Sequence, residues 1–130
     1  MKIIHRDSIE AAKKRVENYI HHTPILSSTS INEMCGASLF FKCENFQKVG
    51  AFKMRGATNA IFQLKEDTTI KGITTHSSGN HAQAVALAAQ KAGFKAKIVM
   101  PSNAPKVKVA AVKGYGAEVV LCEPTLQARE

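Results

Sequence analysis

The chain has 130 residues, of which 45% are hydrophobic and 22% charged, and its formal net charge is +8 at pH 7. This composition is typical of a globular protein with one core of moderate size and excludes the disordered and fibrous classes. Because no apolar stretch approaches the roughly 20 residues of a membrane span, and the N-terminus lacks the long apolar region of a secretory signal, we expect a cytoplasmic protein without a membrane partner.

The positive charge does not by itself predict a nucleic-acid partner. The lysines are dispersed among the predicted helices, only 6% of the residues are aromatic, and no basic run with interleaved aromatic residues occurs. We therefore expect no nucleic-acid binding, since an anionic small molecule accounts for the charge equally well. The three cysteines and five histidines lack the spacing of a disulfide framework or a metal site, so Cys43 and Cys122 are predicted to be small core residues.

The first elements are predicted to be two helices around an extended segment. Residues 7–10 have the pattern of a capping box, with Asp7 as the N-cap of a helix that ends near His21. Residues 25–30 are predicted to be extended or looped. Ser30 would then cap a short helix that stops at Gly36.

A strand and a longer helix follow. Residues 39–43 are predicted to form the strand, and a polar connection leads from it to a helix that begins after Gly50. The predicted buried face of this helix recurs at three- and four-residue spacing and consists of Met54, Ala57, Ile61 and Leu64.

The second half of the chain alternates strands with helices. We place a domain crossing in the polar segment 65–69, which divides the chain into residues 1–67 and 68–130. The predicted strands are 73–76, 96–100 and 117–122, and the predicted helices are 81–92, stopped by Gly93, and 105–113, with Pro105 as the first helical residue. Strict alternation with short connections predicts an α/β fold with a parallel sheet and right-handed crossovers.

Lys53 is the first candidate functional residue, because it is predicted to lie in the first turn of the helix after Gly50. Unpaired backbone N–H groups carry positive partial charge there, and Phe52 and Met54 would exclude water from the amine. Both effects favour the uncharged amine, which is the form that attacks a carbonyl group. The alternative is a solvated surface lysine, as most lysines are.

The second candidate site is the loop His76-Ser77-Ser78-Gly79-Asn80-His81, which joins a predicted strand to a predicted helix. Open α/β sheets bind ligands at this position, and the free N–H groups of the following helix favour a carboxylate or phosphate. The alternative is an ordinary helix cap made by Ser or Asn. A lysine that binds an aldehyde and a loop that binds an anion together suit an amino acid held beside an aldehyde cofactor.

The sequence resembles the serine/threonine dehydratase and serine racemase family along essentially its whole length. The segments that carry the resemblance are Thr23-Pro24-Ile25, Lys42 to Gln47, Gly50 to Ala57, Ser77 to Gln83, and Met100-Pro101. The resemblance implies a pyridoxal-phosphate enzyme of the tryptophan-synthase-β-like fold, fold type II, with parallel sheets and flanking helices. We expect these residues to be its N-terminal part: an opening portion of the cofactor-binding domain, then most of the smaller substrate-side domain.

The resemblance also implies which residues bind the cofactor, pyridoxal 5'-phosphate. Lys53 would bind the cofactor aldehyde, be displaced by the substrate amine and then take the Cα proton from one face. Phe52 would lie against the cofactor, and Asn80 would hydrogen-bond its phenolic oxygen.

For the substrate, the resemblance implies that Ser77, Gly79 and His81 hold the carboxylate, largely through backbone groups. Ser78 would face the substrate from the side opposite Lys53, where racemases of this family use a serine as the second acid/base. No metal ligand is expected among these 130 residues.

The implied activity is β-elimination of a 3-hydroxy amino acid such as serine, threonine or 3-hydroxyaspartate to a keto acid and ammonia, together with serine racemase activity. Many relatives have serine where this chain has Ala51, and some hydroxyaspartate-dehydrating members share Gly-Ala-Phe-Lys with it. A dedicated threonine dehydratase and a non-catalytic binding module are the alternatives.

Other features of the family would lie outside these residues. The glycine-rich phosphate cradle, the partner of the pyridine nitrogen and the carboxylates for a divalent cation (Mg or Mn) come later in the family's sequences, so we expect the isolated chain to be inactive. Ser28-Thr29 and Lys48 match part of the ATP-binding pattern of eukaryotic serine racemases. A homodimer is expected for the full-length enzyme.

Overall fold

The computed structural model describes residues 4–130, which form helices, one small antiparallel sheet and one parallel sheet. The α-helices are α1 (Arg6–Val16), α2 (Thr29–Cys35), α3 (Lys53–Leu64), α4 (Asn80–Ala92), α5 (Lys106–Gly114) and α6 (Leu126–Arg129). The strands are β1 (Ile25–Leu26), β2 (Phe41–Lys42), β3 (Ile73–His76), β4 (Ala96–Pro101) and β5 (Glu118–Cys122). Two short 3-10 helices, Glu44–Phe46 and Lys48–Gly50, join β2 to α3.

The parallel sheet has the strand order β3-β4-β5. Ile73 of β3 lies opposite Ala96 of β4, and Lys97 of β4 lies opposite Glu118 of β5. Because parallel strands end at the same edge of a sheet, the loops that follow β3 and β4 share that edge. The predicted α/β class with a parallel sheet is therefore confirmed, and the predicted anion-binding loop lies where such sheets bind ligands.

The core is centred on α4, which is buried on most of its surface. Met54 and Ile61 pack on it from α3, and Ile98 and Met100 are fully buried on β4. Every alanine of α4 is buried, namely Ala82, Ala84, Ala86, Ala88, Ala89 and Ala92. Since these side chains end at Cβ, α3 and the sheet approach the α4 backbone closely from different sides.

The first helix differs from its prediction at both ends. α1 begins at Arg6, so Asp7 lies inside the helix and does not cap it, while the carboxylate of Glu10 accepts a hydrogen bond from Arg6 Nε at 2.7 Å. It ends at Val16, five residues before the predicted end. The chain turns there because Tyr19 packs on Phe62 of α3, with 4.1 Å between the ring centroids.

The second helix and the strand after it also need correction. Ser28 caps α2, since its Oγ accepts a hydrogen bond from the N–H of Ile31 at 3.5 Å, and the predicted cap Ser30 lies within the helix. The stop at Gly36 is confirmed, because this residue has a φ of 61°. The predicted strand 39–43 is reduced to the two residues of β2, which pair with β1.

Most elements of the second half agree with their predictions within one residue. β3 has the predicted bounds, and α4 begins one residue early at Asn80 and ends before Gly93, whose φ is 85°. Pro105 has a non-helical ψ of 128° and precedes α5 as its cap, so it is not the first helical residue.

In the part of the chain that the structure describes, every helix is too short or too polar to cross a lipid bilayer.

Three expectations about the core and the domains have different outcomes. Cys43 and Cys122 are half-buried and lie outside the core, because each follows or ends a strand at the edge of its sheet. Leu64, the last residue of α3, is 38% exposed and does not continue the buried face. The division into residues 1–67 and 68–130 stays a prediction, and α3 and α4 share one core across it.

We predict that the core depends on Met100. Replacing Met100, which is fully buried on β4, with alanine should lower the free energy of unfolding by about 2–5 kcal/mol, since it leaves a cavity. Met34→Ala is the matched control, because Met34 is 86% exposed and its loss should cost less than about 0.5 kcal/mol. Urea unfolding followed by circular dichroism measures both; equal effects of the two substitutions would contradict this packing.

Candidate active site

Lys53 is the first residue of α3, as predicted. The residue before it, Phe52, already has helical dihedral angles (φ −56°, ψ −20°), and no side chain caps this helix. The Lys53 ammonium lies 5.1 Å from the centroid of the Phe52 ring, and both side chains are exposed. The prediction that Phe52 and Met54 exclude water from the amine is therefore wrong, because Phe52 faces solvent and Met54 is buried in the core. The structure therefore presents an amine and an aromatic face together at the start of a helix.

The backbone that leads into α3 is tightly bent. Val49 and Gly50 have positive φ angles of 58° and 66° in succession. Glycine adopts this conformation freely, but a β-branched residue such as Val49 is a steric outlier there. Strain of this kind persists only where the surroundings hold the chain, and it is common at functional sites.

A half-buried carboxylate holds α3 against the N-terminal segment. Glu44 accepts two hydrogen bonds from Arg55, at 2.9 Å from Nε and 2.8 Å from a terminal nitrogen, and a third at 2.6 Å from Thr23 Oγ1. The hydrogen bonds from Arg55 lower the pKa of Glu44 from 4.5 to about 2, assisted by Thr23 and the charges of Arg55 and Lys42 and opposed by burial. Arg55 lies two residues after Lys53, so this network fixes the first turn of α3.

Gln47 makes a second connection to the same segment. This side chain is 3% exposed, and its Nε2 donates to the carbonyl of His21 at 2.9 Å. Its Oε1 accepts from the N–H of His21 at 2.7 Å and from the N–H of Lys48 at 3.0 Å. The two hydrogen bonds with His21 tie the connection before Lys53 to the segment after α1, and the bond from Lys48 lies within that connection.

The loop after β3 leads directly into α4. Ser77 continues the sheet, with its N–H donating to the carbonyl of Val99 at 3.0 Å, and its Oγ accepts from the N–H of Gly79 at 3.2 Å. Gly79 precedes α4 without any side-chain cap, so the alternative of an ordinary Ser or Asn cap is wrong. Ser78 is exposed in this loop. The first turn of α4 therefore offers N–H groups to an anion.

Positive groups converge at this helix start. Partial desolvation lowers the pKa of His81, and the neighbouring Lys53 and His76 lower it further. Met54, which follows Lys53, and Ala82, which follows His81, lie in the same buried core, so the two predicted half-sites are neighbours. Electrostatically, the site favours a neutral imidazole and a negatively charged ligand.

Asn80 has a partner that sequence reasoning missed. Lys108 of α5 donates a hydrogen bond from Nζ to Asn80 Oδ1 at 2.6 Å. Glu44, Arg55 and Gln47 were likewise not predicted to have a role in the site, although they lie inside the family segments 42–47 and 50–57. That membership was the only sequence signal available for them.

Comparison with known proteins places the chain in a family. The family described as "Pyridoxal-phosphate dependent enzyme" matches residues 16–130. A serine racemase from Dictyostelium discoideum is 55% identical over 122 residues, which cover 94% of this chain and 38% of that protein. A beta-hydroxyaspartate dehydratase from Paracoccus denitrificans is 50% identical over 120 residues, or 92% of this chain and 38% of that protein.

A solved structure of similar sequence has the same fold. The structure of maize serine racemase superposes with a TM-score of 0.89 at 54% sequence identity, covering 95% of this chain and 37% of that one. The chain therefore spans less than two-fifths of the length of the relatives it matches.

We predict that Glu44 stabilises the fold in a pH-dependent way. Its pKa is about 2 in the folded protein against an ordinary value of 4.5, so its contribution is complete above pH 4.5 and is lost as the pH falls towards 2. Glu44→Gln should lower the free energy of unfolding at pH 7 by about 1–2 kcal/mol and flatten its dependence on pH in that window.

Urea unfolding at a series of pH values measures this effect. Glu10→Gln is the matched control, because the Arg6–Glu10 pair is solvent-exposed and should contribute little. Parallel stability curves for Glu44→Gln and the unsubstituted chain between pH 4.5 and pH 2 would contradict the role of Glu44.

Proposed function

The chain belongs to the family of pyridoxal-phosphate-dependent enzymes, and on that premise we propose that it is part of a hydroxy-amino-acid dehydratase with serine racemase activity. The substrate would be a 3-hydroxy amino acid such as serine, threonine or 3-hydroxyaspartate, converted to a keto acid and ammonia. The observation that carries this proposal is the position of Lys53 beside the uncapped start of α4. The relatives named serine racemase and beta-hydroxyaspartate dehydratase support the choice of substrate.

The described residues fit pyridoxal phosphate and an amino acid. An exposed amine lies next to an aromatic ring at the start of α3, and the uncapped N–H groups of α4 suit a carboxylate. Asn80 adds a side-chain amide at the same helix start. When bound, the cofactor supplies an electron sink for the charge left on Cα after proton loss.

The roles we propose follow from position and charge. Lys53 would hold the cofactor through its aldehyde and would take the Cα proton of the substrate at Nζ. Ser77, Gly79 and His81 hold the substrate carboxylate at the start of α4. The lowered pKa of His81 keeps its ring neutral near pH 7, so the ring donates one hydrogen bond without adding a second charge.

Ser78 determines which product forms in this proposal. Its exposed hydroxyl lies in the loop that precedes α4, and we place it on the substrate face opposite Lys53. Return of a proton to Cα from Ser78 gives the mirror-image amino acid. Loss of the β-hydroxyl as water before that return would leave an enamine, which water hydrolyses to the keto acid with release of ammonia. Elimination and racemisation therefore share their first step.

We also propose that the longer enzyme binds a divalent cation and ATP. Its assembly would be a cytoplasmic homodimer. Burial lowers the pKa of the half-buried Lys48, and the neighbouring Lys91 lowers it further, so a nucleotide phosphate would relieve this pair of charges. Within residues 4–130 no three His, Cys, Asp or Glu side chains are grouped to hold a metal ion. The cation ligands would therefore lie outside the described residues.

The cofactor-binding lysine is tested by covalent trapping. In the complete enzyme, we expect borohydride reduction in the presence of excess pyridoxal phosphate to label Lys53, and Lys53→Ala to abolish that label. Lys65→Ala is the matched control, because Lys65 follows the other end of α3 and its ammonium lies 5.8 Å from the centroid of the Phe62 ring. Peptide mapping by mass spectrometry locates the label, and a label on other lysines that spares Lys53 would overturn the enzyme proposal in favour of a binding module.

The role of Ser78 is tested by separating the two products in the complete enzyme. Ser78→Ala should slow formation of D-serine from L-serine about 100-fold or more, the usual effect of removing an acid/base group, and should slow pyruvate release much less. Chiral chromatography and a keto-acid assay measure the two rates. Equal losses of both would contradict the assignment, and 2-oxobutyrate from threonine far exceeding pyruvate from serine would identify a dedicated threonine dehydratase.

A further inference from the structure

The side chain of Lys108 reaches from α5 to the first residue of α4. Its Nζ lies 2.6 Å from Oδ1 of Asn80, 28 positions earlier in the chain. Lys108 is half-buried, whereas its neighbours Lys106 and Val107 are exposed. The contact therefore joins α5 to α4, two helices that pack on each other, at a solvent-exposed position.

This hydrogen bond determines which way the Asn80 carboxamide faces. A lysine ammonium is only a donor, so the amide group that faces it is the acceptor Oδ1. The reversed orientation would bring Nδ2 against Nζ, two donors in contact. Nδ2 therefore faces away from Lys108 and remains able to donate to another group.

The charge of Lys108 is unusual for its location. The N-terminus of a helix carries positive partial charge, and a cation there is unfavourable unless an anion is near. Neither Lys108 nor Lys53 forms a salt bridge with a carboxylate within residues 4–130. The arrangement suits a ligand that brings its own negative charge to α4.

We propose that Lys108 is a positioning residue that fixes the Asn80 carboxamide so that Nδ2 donates to the anionic phenolic oxygen of pyridoxal phosphate. The identity of that oxygen rests on the proposed function, whereas the orientation of the amide rests only on the contact between Lys108 and Asn80. Lys108 touches neither substrate nor cofactor in this proposal. Its positive charge also favours the ionised form of the oxygen that Asn80 binds.

The orientation of the amide is tested first, without cofactor. In the 130-residue chain, Lys108→Met should shift the side-chain amide resonances of Asn80 in a nitrogen–proton correlation spectrum, identified by their loss in Asn80→Asp. Lys106→Met, which removes the same charge from the same helix, should leave them unchanged. Lys108→Arg, which keeps a donor, should give a smaller shift than Lys108→Met. Unchanged Asn80 resonances in Lys108→Met would overturn the proposal.

The link to the cofactor is tested by the rate of labelling. In the complete enzyme treated with pyridoxal phosphate and borohydride, Lys108→Met should reduce the labelling of Lys53 about threefold to tenfold, as expected for one hydrogen bond, with Lys108→Arg intermediate and Lys106→Met unchanged. Equal labelling of Lys53 in Lys108→Met and the unsubstituted chain would overturn the positioning role. Failure to label Lys53 in any variant, with the Asn80 shift present, would instead refute the proposed function while the orientation of the amide stands.

Discussion

The packing of α3 on the alanine face of α4 is the constraint on which the rest of the structure depends. Met54 follows Lys53 directly and is fully buried in the core that α4 forms. The first turn of α3 is therefore held in place by the same helix whose N-terminus follows the predicted anion-binding loop. Replacing an alanine of α4 by a larger residue would push the two helices apart and separate Lys53 from His81.

A polar network also holds the start of α3 in place. The core holds the inner face of α3, and the hydrogen bonds of Glu44 hold the same helix from its outer side through Arg55. Gln47 then fixes the connection in which Val49 adopts a positive φ. With apolar packing alone, the first turn of α3 would fray, because the backbone N–H groups at the start of a helix lack partners within the helix. Local strain before Lys53 is tolerable because both kinds of contact oppose it.

The sequence predicted the second half of this fold better than the first for a physical reason. Gly93 and Pro105 mark element ends by backbone chemistry that acts locally, and β3 and α4 agree with their predictions within one residue. The end of α1 depends instead on Tyr19 meeting Phe62 of α3, a contact over 43 positions that no local pattern contains. Lys108 was missed for the same reason, since only the packing of α5 on α4 brings it to Asn80.

The distribution of charge links this fold to the kind of ligand it favours. Arg55 is neutralised by Glu44, whose pKa of about 2 keeps it ionised at any physiological pH, so this cation is not available to a ligand. Lys53 and Lys108 have no such carboxylate within residues 4–130, and His81 is shifted towards its neutral form beside them. One cation is thus committed to structure and two are left at the start of α4. A ligand with a carboxylate and an anionic oxygen would neutralise both positive charges, whereas a neutral ligand of the same shape would not.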